Sequence, residues 1–395
     1  MTKTARGTLA LRLYYVMACG IGGVYLPFFP RWLEGRGMLG LRLGVIAAAA
    51  PAMGVFAPTV FGVVADALRL RGGLLQLACA GALLTFGALA AAAVAGFPIG
   101  FWVLLLAALL FALFRSPMGF VADVVALEMA PAVGTTYGRI RLWGSLGFIA
   151  AVPLATQYVD PVRAAAFPLA VSAFVVAALL ASLRLPRRAD MPRGNRRGAR
   201  QLLKEADFRF FLIAVFLGQC GHAAYDLCFS LRLFELGVTG PVFVWAWDLG
   251  TAAEVLIMAC SAPLFRAFSP VSLLAFALGA ASFRWAAIAV VRSSIVLLVL
   301  QPLHALSFGL AWLASVGYAS RRFPSHSLGT AQGLFSTAMG AGSAVGMITW
   351  GSLYHRMGGA TVFAIAACLS ACGCALTVAL DHRLRAGLEA AAVGE

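Results

Sequence analysis

The stretch from residue 73 to residue 95 reads GLLQLACAGALLTFGALAAAAVA and contains no charged side chain. An apolar helix of roughly 20 residues is long enough to cross the hydrocarbon core of a bilayer. This stretch therefore predicts a transmembrane helix. Polar side chains inside stretches of this kind become informative, because lipid offers them no hydrogen-bond partners.

Similar stretches recur on both sides of this one. Of the 395 residues, 62% are hydrophobic and 11% are charged, whereas roughly a quarter of the residues in a soluble domain are charged. We therefore predict an all-α membrane protein with twelve transmembrane helices. The predicted spans lie near 10–30, 41–64, 73–95, 99–128, 140–159, 164–183, 208–232, 241–265, 270–291, 294–319, 328–353 and 359–380.

The basic residues predict how the chain is oriented and divided. Nine Arg and Lys residues fall between positions 184 and 209, and basic loops face the cytoplasm. We expect a bacterial inner-membrane protein with this loop and both termini in the cytoplasm. The predicted domains are a six-helix bundle at 1–184, a basic loop at 185–206 and a second six-helix bundle at 207–395. The net charge of +15 does not indicate nucleic acid, because no basic stripe is interleaved with stacking aromatics.

Two triplets with the same spacing suggest that the two bundles are repeats. They end the first and seventh predicted spans and consist of Phe28, Arg31 and Glu34, and of Phe229, Arg232 and Glu235. Parallel repeats of this kind bind substrate near the bilayer midplane. In the eleventh span, Gly340, Gly342 and Gly346 predict close helix packing.

Five local motifs carry a resemblance to a known family. They are YLPFFPRWL at 25–33, YGRIRLWGSLGF at 137–148, SFR at 282–284, LH at 303–304 and GTAQGL at 329–334. Together they resemble the branch of the major facilitator superfamily that holds lactose permease, phenylpropionate permease and nucleoside:proton symporters. The resemblance implies two six-helix bundles, a small-molecule substrate, coupling to protons and a monomer in the lipid bilayer. It implies no cofactor other than the proton gradient.

The resemblance also implies a substrate site. Asp123 and Arg141 correspond to a carboxylate–arginine pair that holds sugar in lactose permease, and Phe148 replaces a Trp that stacks on the sugar. The shorter carboxylate and the phenyl ring shift the expected substrate toward a small aromatic acid, a nucleoside or a related solute. An alternative stays open, in which Asp123 and Arg141 only join two helices. Arg115 either competes for Asp123 or forms an anion site, and Gln219 is a further candidate polar ligand.

Charged groups in the second bundle form the candidate proton site, because ionisable side chains at membrane depth are costly and usually functional. Glu254, Arg284 and His304 correspond in type and order to the proton-handling group of lactose permease. That permease has a Glu where this chain has Ser307, so we expect Glu254 to carry the proton instead.

A second candidate proton site comes from His222 and Asp226. These residues are four positions apart and therefore share a helix face. In lactose permease a Lys neutralises the corresponding Asp, but Met339 occupies that position here. Asp226 could then be protonated, face water or pair with His222.

The loop after the second span resembles the superfamily signature and predicts a cytoplasmic gate. Asp66 ends an apolar stretch, and Arg69 and Arg71 follow it. A carboxylate there can pair with Arg or with a helix N-terminus. The alternative is that these three residues only fix the topology.

Taken together, the sequence predicts proton-coupled uptake of a small organic solute by alternating access. Proton-driven efflux of a drug or metabolite is the alternative within transporters. A membrane enzyme is disfavoured, since the chain has no Gly-x-Ser-x-Gly elbow, no HxxxxD motif and no metal-ligand cluster. Its eight Cys lie in apolar stretches without metal-ligand spacing. A transport-dead sensor is also disfavoured, because loop 185–206 is too short for an output domain.

Overall fold

A computed structural model describes residues 3–67, 73–132, 134–135, 137–159, 163–185 and 199–393. Every regular element in these ranges is a helix. The α-helices in chain order are α1 (Lys3–Glu34), α2 (Leu41–Ala67), α3 (Leu74–Val94), α4 (Phe101–Ala132), α5 (Tyr137–Tyr158), α6 (Ala166–Ser182), α7 (Ala199–Leu202), α8 (Ala206–Glu235), α9 (Gly240–Ala259), α10 (Ser261–Ala267), α11 (Pro270–Val290), α12 (Ser294–Val299), α13 (Ala311–Arg322) and α14 (Ser325–Val393).

The chain forms two compact units. Unit 1 contains Met1–Pro192 with Asp226–Asp248, and unit 2 contains Arg193–Tyr225 with Leu249–Glu395. The segment Asp226–Asp248 joins unit 1 partly through aromatic contacts. Phe243 lies 5.5 Å from Phe28 between ring centroids, and the Arg31 guanidinium lies 5.2 Å from the Phe234 ring. The predicted domain limits at 184 and 207 stay a prediction.

In unit 1, α1 packs against α5 and α6, and α4 packs against α2 and α3. Glycine allows the closest of these approaches. A Cβ added at Gly147 of α5 would lie 2.1 Å from the Val16 carbonyl oxygen, and one at Gly144 would lie 2.7 Å from the Cys19 sulfur. Such distances are shorter than any van der Waals contact, so these positions of α5 require glycine beside α1.

The aromatic core of unit 1 is built from four helices. Phe86 of α3 lies 4.1 Å from Phe111 of α4 between ring centroids. Tyr25 of α1 contacts Phe111 at 5.8 Å and Phe167 of α6 at 5.9 Å. Offset aromatic contacts of this kind fix the relative rotation of the helices that carry them.

In unit 2, α11 is packed between α13 and α14. The core contains Phe208, Phe211, Tyr318, Phe323 and Phe335. The predicted close packing of the eleventh span is confirmed at two of its three glycines, because α14 lies directly against α8. Added Cβ atoms at Gly342 and Gly346 would lie 2.4 Å from the Phe216 oxygen and 2.7 Å from the Cys220 oxygen, respectively.

Eight helices in the described ranges are long and apolar enough to cross a bilayer, and Leu41–Ala57 and Ala166–Ser182 are shorter apolar helices. One of the eight, Ser327–Ala386, covers two predicted spans. Its backbone breaks at Gly358, where φ is 79° and ψ is 164°. The all-α membrane class is thus confirmed, while the count of twelve spans stays a prediction.

Two predicted spans are not single α-helices. The span predicted at 294–319 consists of α12, a 3₁₀ turn at Gln301–Leu303, a π-helical segment at Ala305–Leu310 and α13. Pro302 lies in the 3₁₀ turn, and proline cannot donate the backbone hydrogen bond that a continuous helix needs. The span predicted at 241–265 ends at Ala259, and α10 follows it.

The turns after α1 and α8 repeat each other in detail. Arg31 pairs with Glu34 at 2.9 Å, and Arg232 pairs with Glu235 at 2.8 Å. Each turn then contains a glycine with φ of 73°, Gly37 in one and Gly237 in the other. This matched geometry supports the interpretation of the triplets as an internal repeat.

Candidate functional site

The first candidate site lies in unit 1, where the structure brings Asp123 of α4 and Arg141 of α5 together. The Arg141 Nε lies 3.9 Å from the Asp123 Oδ1, and the two side chains are 43% and 38% exposed. The Tyr15 hydroxyl donates a 2.6 Å hydrogen bond to the same carboxylate oxygen. Tyr15 was not among the predicted site residues, although its hydroxyl is a polar group inside an apolar span. Asp123 thus has partners on two other helices, α1 and α5.

Glycine also shapes the surroundings of Arg141. The guanidinium stacks over the Tyr15 ring at 5.5 Å, and Nη1 lies 3.6 Å from the Cys19 sulfur. A Cβ added at Gly144 would lie 2.5 Å from the Arg141 Nη1. Gly144 therefore leaves the space in which the guanidinium lies against α1.

Arg115 and Phe148 meet at a second point in unit 1. A Cβ added at Gly22 of α1 would lie 3.5 Å from the Arg115 Nη2 and 3.6 Å from the Phe148 ring. Both side chains are partly buried. The structure gives no support to the predicted competition for Asp123, because Asp123 bonds to Tyr15 and lies near Arg141 instead.

The second candidate site lies in unit 2 and joins the three residues predicted for proton coupling. The Glu254 Oε2 lies 3.6 Å from the His304 Nε2. On the other side of the ring, the His304 Nδ1 lies 3.1 Å from the Arg284 Nη1. Three helical segments that are far apart in sequence thus place one imidazole between a carboxylate and a guanidinium.

Arg284 is fully buried, at 0% exposure, and its guanidinium is surrounded by polar and aromatic groups. It donates to the Gln301 Oε1 at 2.8 Å and to the Ser307 hydroxyl at 3.2 Å. The Tyr225 ring lies 4.3 Å from the guanidinium carbon. These three residues were not among the predicted partners of Arg284. Ser307, which replaces a carboxylate of lactose permease, contributes a hydroxyl to the same group.

The neighbours of His304 fix its tautomer. The guanidinium nitrogens of arginine donate hydrogen bonds and cannot accept them. The His304 Nδ1 therefore accepts from Arg284, and the ring hydrogen of the neutral imidazole lies on Nε2, facing Glu254. A second proton on the ring would have to bind at Nδ1, where its N–H would face the N–H groups of Arg284. Glu254 is the acidic member of this group, and its carboxylate lies on the Nε2 side of the His304 ring.

Local backbone geometry brings these side chains together. His304 lies at the junction of the 3₁₀ turn and the π-helical segment, and π-helical turns occur often at functional sites. Two glycines allow α9 to approach this junction. Added Cβ atoms would lie 3.1 Å from the His304 Cβ at Gly250 and 3.0 Å from the Glu254 Cγ at Gly309.

His222 and Gln219 line a cavity within unit 2 that has a volume of about 30 Å³. Ser307 and Met339 also line it, so the cavity borders the Arg284 group. The His222 ring stacks on Phe308 at 4.8 Å and lies 5.6 Å from His304 between ring centroids. Asp226 belongs to unit 1, and its predicted pairing with His222 stays a prediction.

Asp248 is a buried carboxylate that the sequence analysis did not select as a site residue. It lies on α9 and is 5% exposed. Its Oδ1 is buried and has no hydrogen-bond partner among the described residues. Sequence position alone does not reveal this burial, because it depends on how α9 is rotated in the fold.

The predicted gate lies largely outside the part of the chain that the structure describes. Arg69 and Arg71 lie outside the described residues, and Asp66 belongs to α2 but its side chain is not described. The gate therefore stays a prediction.

Long apolar helices that carry ionisable groups at membrane depth define an integral membrane protein of the class to which secondary transporters belong. Comparison with known families makes this specific. The model of the MFS_1 like family matches residues 8–365. The chain therefore belongs to this family of the major facilitator superfamily, and it is a membrane transporter rather than an enzyme.

Two relatives match most of their own length. The chain is 28% identical over 351 residues to the probable 3-phenylpropionic acid transporter of Escherichia coli, covering 85% of this chain and 88% of that protein. It is 30% identical over 341 residues to the maltose permease of Geobacillus stearothermophilus, covering 86% of this chain and 84% of that protein. The named substrates of these relatives differ in chemistry.

Solved structures give the same fold. The nucleoside transporter NupG matches with a TM-score of 0.81 at 16% sequence identity, covering 96% of this chain and 99% of that chain. A POT family transporter in complex with 5-aminolevulinic acid matches with a TM-score of 0.76 at 10% identity, covering 96% of each chain. At such low identities the likeness establishes the fold and nothing further.

Proposed function

We propose that the protein is a proton-coupled symporter that takes up a small organic solute across the bacterial inner membrane by alternating access. The observation that carries the proposal is the Glu254–His304–Arg284 arrangement, with separations of 3.6 Å and 3.1 Å along it. It supplies a titratable carboxylate beside a buried cation within membrane-spanning helices. The predicted cytoplasmic termini and monomeric state belong to the same proposal.

Glu254 is the proton carrier in this mechanism. As a carboxylate it is attracted to the positive charge of Arg284, which acts across the neutral His304 ring. When Glu254 binds a proton this attraction disappears, because the neutral acid has no net charge. Protonation therefore changes the preferred arrangement of α9 relative to the π-helical segment. Such a change is what alternation between two states requires, since a ligand shifts an equilibrium only through differential affinity.

The solute would bind in unit 1, at the side chains around Asp123 and Arg141. This pair is partly exposed, unlike Arg284, and offers both hydrogen-bond donors and acceptors. Relatives named for 3-phenylpropionic acid and maltose, and a structural neighbour named for nucleosides, point to small organic solutes. They favour no single substrate class among these.

Replacing Glu254 with Gln tests the proposal. A thermal-shift screen of the purified full-length chain first identifies a transported solute. In proteoliposomes, Glu254→Gln is expected to abolish accumulation driven by a pH gradient while leaving counterflow exchange within about threefold of the unaltered protein. Glutamine keeps the shape of the side chain but cannot bind a proton.

Glu205→Gln is the matched control, because Glu205 pairs with Arg322 at a partly exposed position of unit 2. This variant should accumulate solute normally. Accumulation by Glu254→Gln at the unaltered rate would remove Glu254 from the coupling mechanism. The same assay with the pH gradient reversed distinguishes uptake from proton-driven efflux. Coupling is reversible and the gradient sets its direction, so a symporter and an exporter accumulate solute under opposite gradients.

A further inference from the structure

Two neighbouring arginines at the end of α13 have different partners. The Arg322 Nη2 lies 2.6 Å from the Glu205 Oε2 and forms an ion pair. Arg321 instead donates from Nη2 to the Phe265 carbonyl oxygen at 2.7 Å, and its guanidinium carbon lies 5.9 Å from the centre of the Phe265 ring. Among the described residues, no carboxylate forms an ion pair with Arg321. Its guanidinium is thus anchored in place, but no described side chain balances its charge.

A break after α9 brings Phe265 to this position. α9 ends before Cys260, where φ is −102° and ψ is 11°, and α10 begins after it. α10 then packs on α13, because Gly317 has no side chain there. An added Cβ at Gly317 would lie 2.9 Å from the Phe265 ring. The contact between α10 and α13 therefore fixes the position of the Arg321 guanidinium.

A second cation and an exposed aromatic ring lie at the same corner of unit 2. Arg266 follows Phe265 directly in the chain and is exposed, as is Arg321. No carboxylate in the described part of the chain pairs with Arg266 either. Phe268 is 55% exposed. We call Arg266, Phe268 and Arg321 together the α10–α13 corner.

The α10–α13 corner lies at the end of unit 2 where the basic loop joins α8, the end predicted to face the cytoplasm. Glu205 directly precedes α8 and pairs with Arg322, the neighbour of Arg321. One apolar span ends at Arg322, and another begins at Pro270, two residues after Phe268. The corner is therefore placed where membrane-spanning helices leave the hydrocarbon, at the level of the lipid headgroups.

We propose that the α10–α13 corner binds an anionic phospholipid, with the headgroup phosphate on Arg266 and Arg321 and the upper acyl chains against Phe268. A guanidinium binds phosphate oxygens through parallel hydrogen bonds. Basic side chains at headgroup level are attracted to anionic lipids. Apolar rings beside such cations insert at the boundary between headgroups and acyl chains.

The alternative is a solvated basic surface, since positive loops orient a membrane protein without binding a particular lipid. Two features favour the lipid. An acyl chain would remove the exposed Phe268 ring from water, which is favourable for apolar surface. The Arg321 guanidinium is already held by the Phe265 carbonyl and ring, so less side-chain freedom is lost when a phosphate binds.

Native mass spectrometry of the purified full-length chain tests the proposal. The probes are phosphatidylglycerol, which is anionic, and phosphatidylcholine, which is zwitterionic, with identical acyl chains. We expect phosphatidylglycerol to bind at least about fivefold more tightly. Arg321→Gln should weaken phosphatidylglycerol binding roughly fivefold, the effect of one basic side chain at an anionic surface, and leave phosphatidylcholine binding within about twofold.

A second variant keeps the test decisive if Arg321→Gln fails to fold. Arg266 is exposed and no described side chain depends on it, so Arg266→Gln should fold normally and still weaken phosphatidylglycerol binding roughly fivefold. Phe268→Ser should weaken the binding of both lipids alike, because it removes apolar contact and no charge. In nanodiscs, phosphatidylglycerol should raise the melting temperature of the unaltered protein more than that of either arginine variant.

Two controls separate a site from a general effect of charge. Arg42→Gln removes one exposed arginine of unit 1 and changes the net charge as Arg321→Gln does. The double variant Glu205→Gln/Arg322→Gln disturbs the same end of unit 2 but removes a balanced pair. Both controls should bind phosphatidylglycerol within about twofold of the unaltered protein, since neither removes a cation of the corner.

The outcomes are distinct from those that test the proposed function. Equal binding of the two lipids, or unchanged phosphatidylglycerol binding in both arginine variants, would overturn the lipid site. An equal loss in Arg42→Gln would show a general charge effect and overturn it as well. Displacement of the lipid by inorganic phosphate would identify a soluble anion as the ligand instead. Glu254→Gln should bind phosphatidylglycerol normally, so a failure of proton coupling leaves this result unaffected.

Discussion

The two units use the same way of packing helices but hold their charges differently. In each unit two glycines of one helix press against the backbone or side chains of another, at Gly144 and Gly147 in unit 1 and at Gly342 and Gly346 in unit 2. The charges of Asp123 and Arg141 are roughly 40% exposed, whereas Arg284 is completely buried. The comparison teaches that similar helix packing can support a partly exposed charge pair in one unit and a fully buried cation in the other.

Removing the buried cation should have the largest effect. Arg284→Met would leave the acceptors of Gln301, Ser307 and His304 buried without their donor, at a cost of about 1–3 kcal/mol each. We therefore expect the free energy of unfolding to fall by about 3 kcal/mol or more. Arg141→Met should lower it by less than about 1 kcal/mol, because partly exposed ion pairs contribute little.

Thermal unfolding of both variants in the same detergent, followed by tryptophan fluorescence, measures this difference. Similar melting temperatures for the two variants would contradict the distinction between a closed site and an open one.

Glycine substitutions should have an intermediate effect that is alike in the two units. Gly147→Ala and Gly342→Ala each force a Cβ against a backbone oxygen, and overpacking of this kind costs about 1–3 kcal/mol. Gly54→Ala and Gly333→Ala are matched controls, since nothing lies within 4 Å of the added atom at either position. The controls should be neutral or stabilising by up to about 1 kcal/mol.

The measurement is again the melting temperature of each purified variant. A loss of stability at only one of the two tightly packed positions would show that the units do not share this packing.

The smallest effect is expected at Asp248, which sharpens the comparison along a single helix. Asp248 and Glu254 both lie on α9, but Asp248 belongs to unit 1 and Glu254 to unit 2. The Asp248 Oδ1 has no hydrogen-bond partner among the described residues, and Asn has nearly the same shape as Asp, so Asp248→Asn is expected to change little. Accumulation in proteoliposomes should stay within about twofold of the unaltered protein. A loss of accumulation like that expected for Glu254→Gln would instead make Asp248 a second proton carrier.

Sequence patterns predicted the helices and several of the side-chain partnerships, for identifiable physical reasons. Hydropathy predicts membrane helices because lipid excludes charge along a whole span. The family motifs predicted that Asp123 pairs with Arg141 and that Glu254 and His304 belong to one group. Hydropathy carries no information on how a helix is rotated. The Tyr15 bond to Asp123 therefore emerged only from the fold.

The polar environment of Arg284 was beyond sequence reasoning for a related reason. Gln301 and Ser307 reach the same guanidinium because the backbone between them departs from α-helical geometry. A regular helix would place two residues that are six positions apart on different faces, about 120° apart around the axis.

The π-helical segment at Ala305–Leu310 makes the register of this region depend on chain length. The backbone hydrogen bond of a π-helical turn spans one more residue than that of an α-helical turn. Each residue of an α-helix advances by about 100° around the axis. Deleting a single residue here would rotate everything that follows relative to His304, whichever amino acid was removed. Spacing between His304 and α13 is therefore as diagnostic of this site in related sequences as the identity of the charged residues themselves.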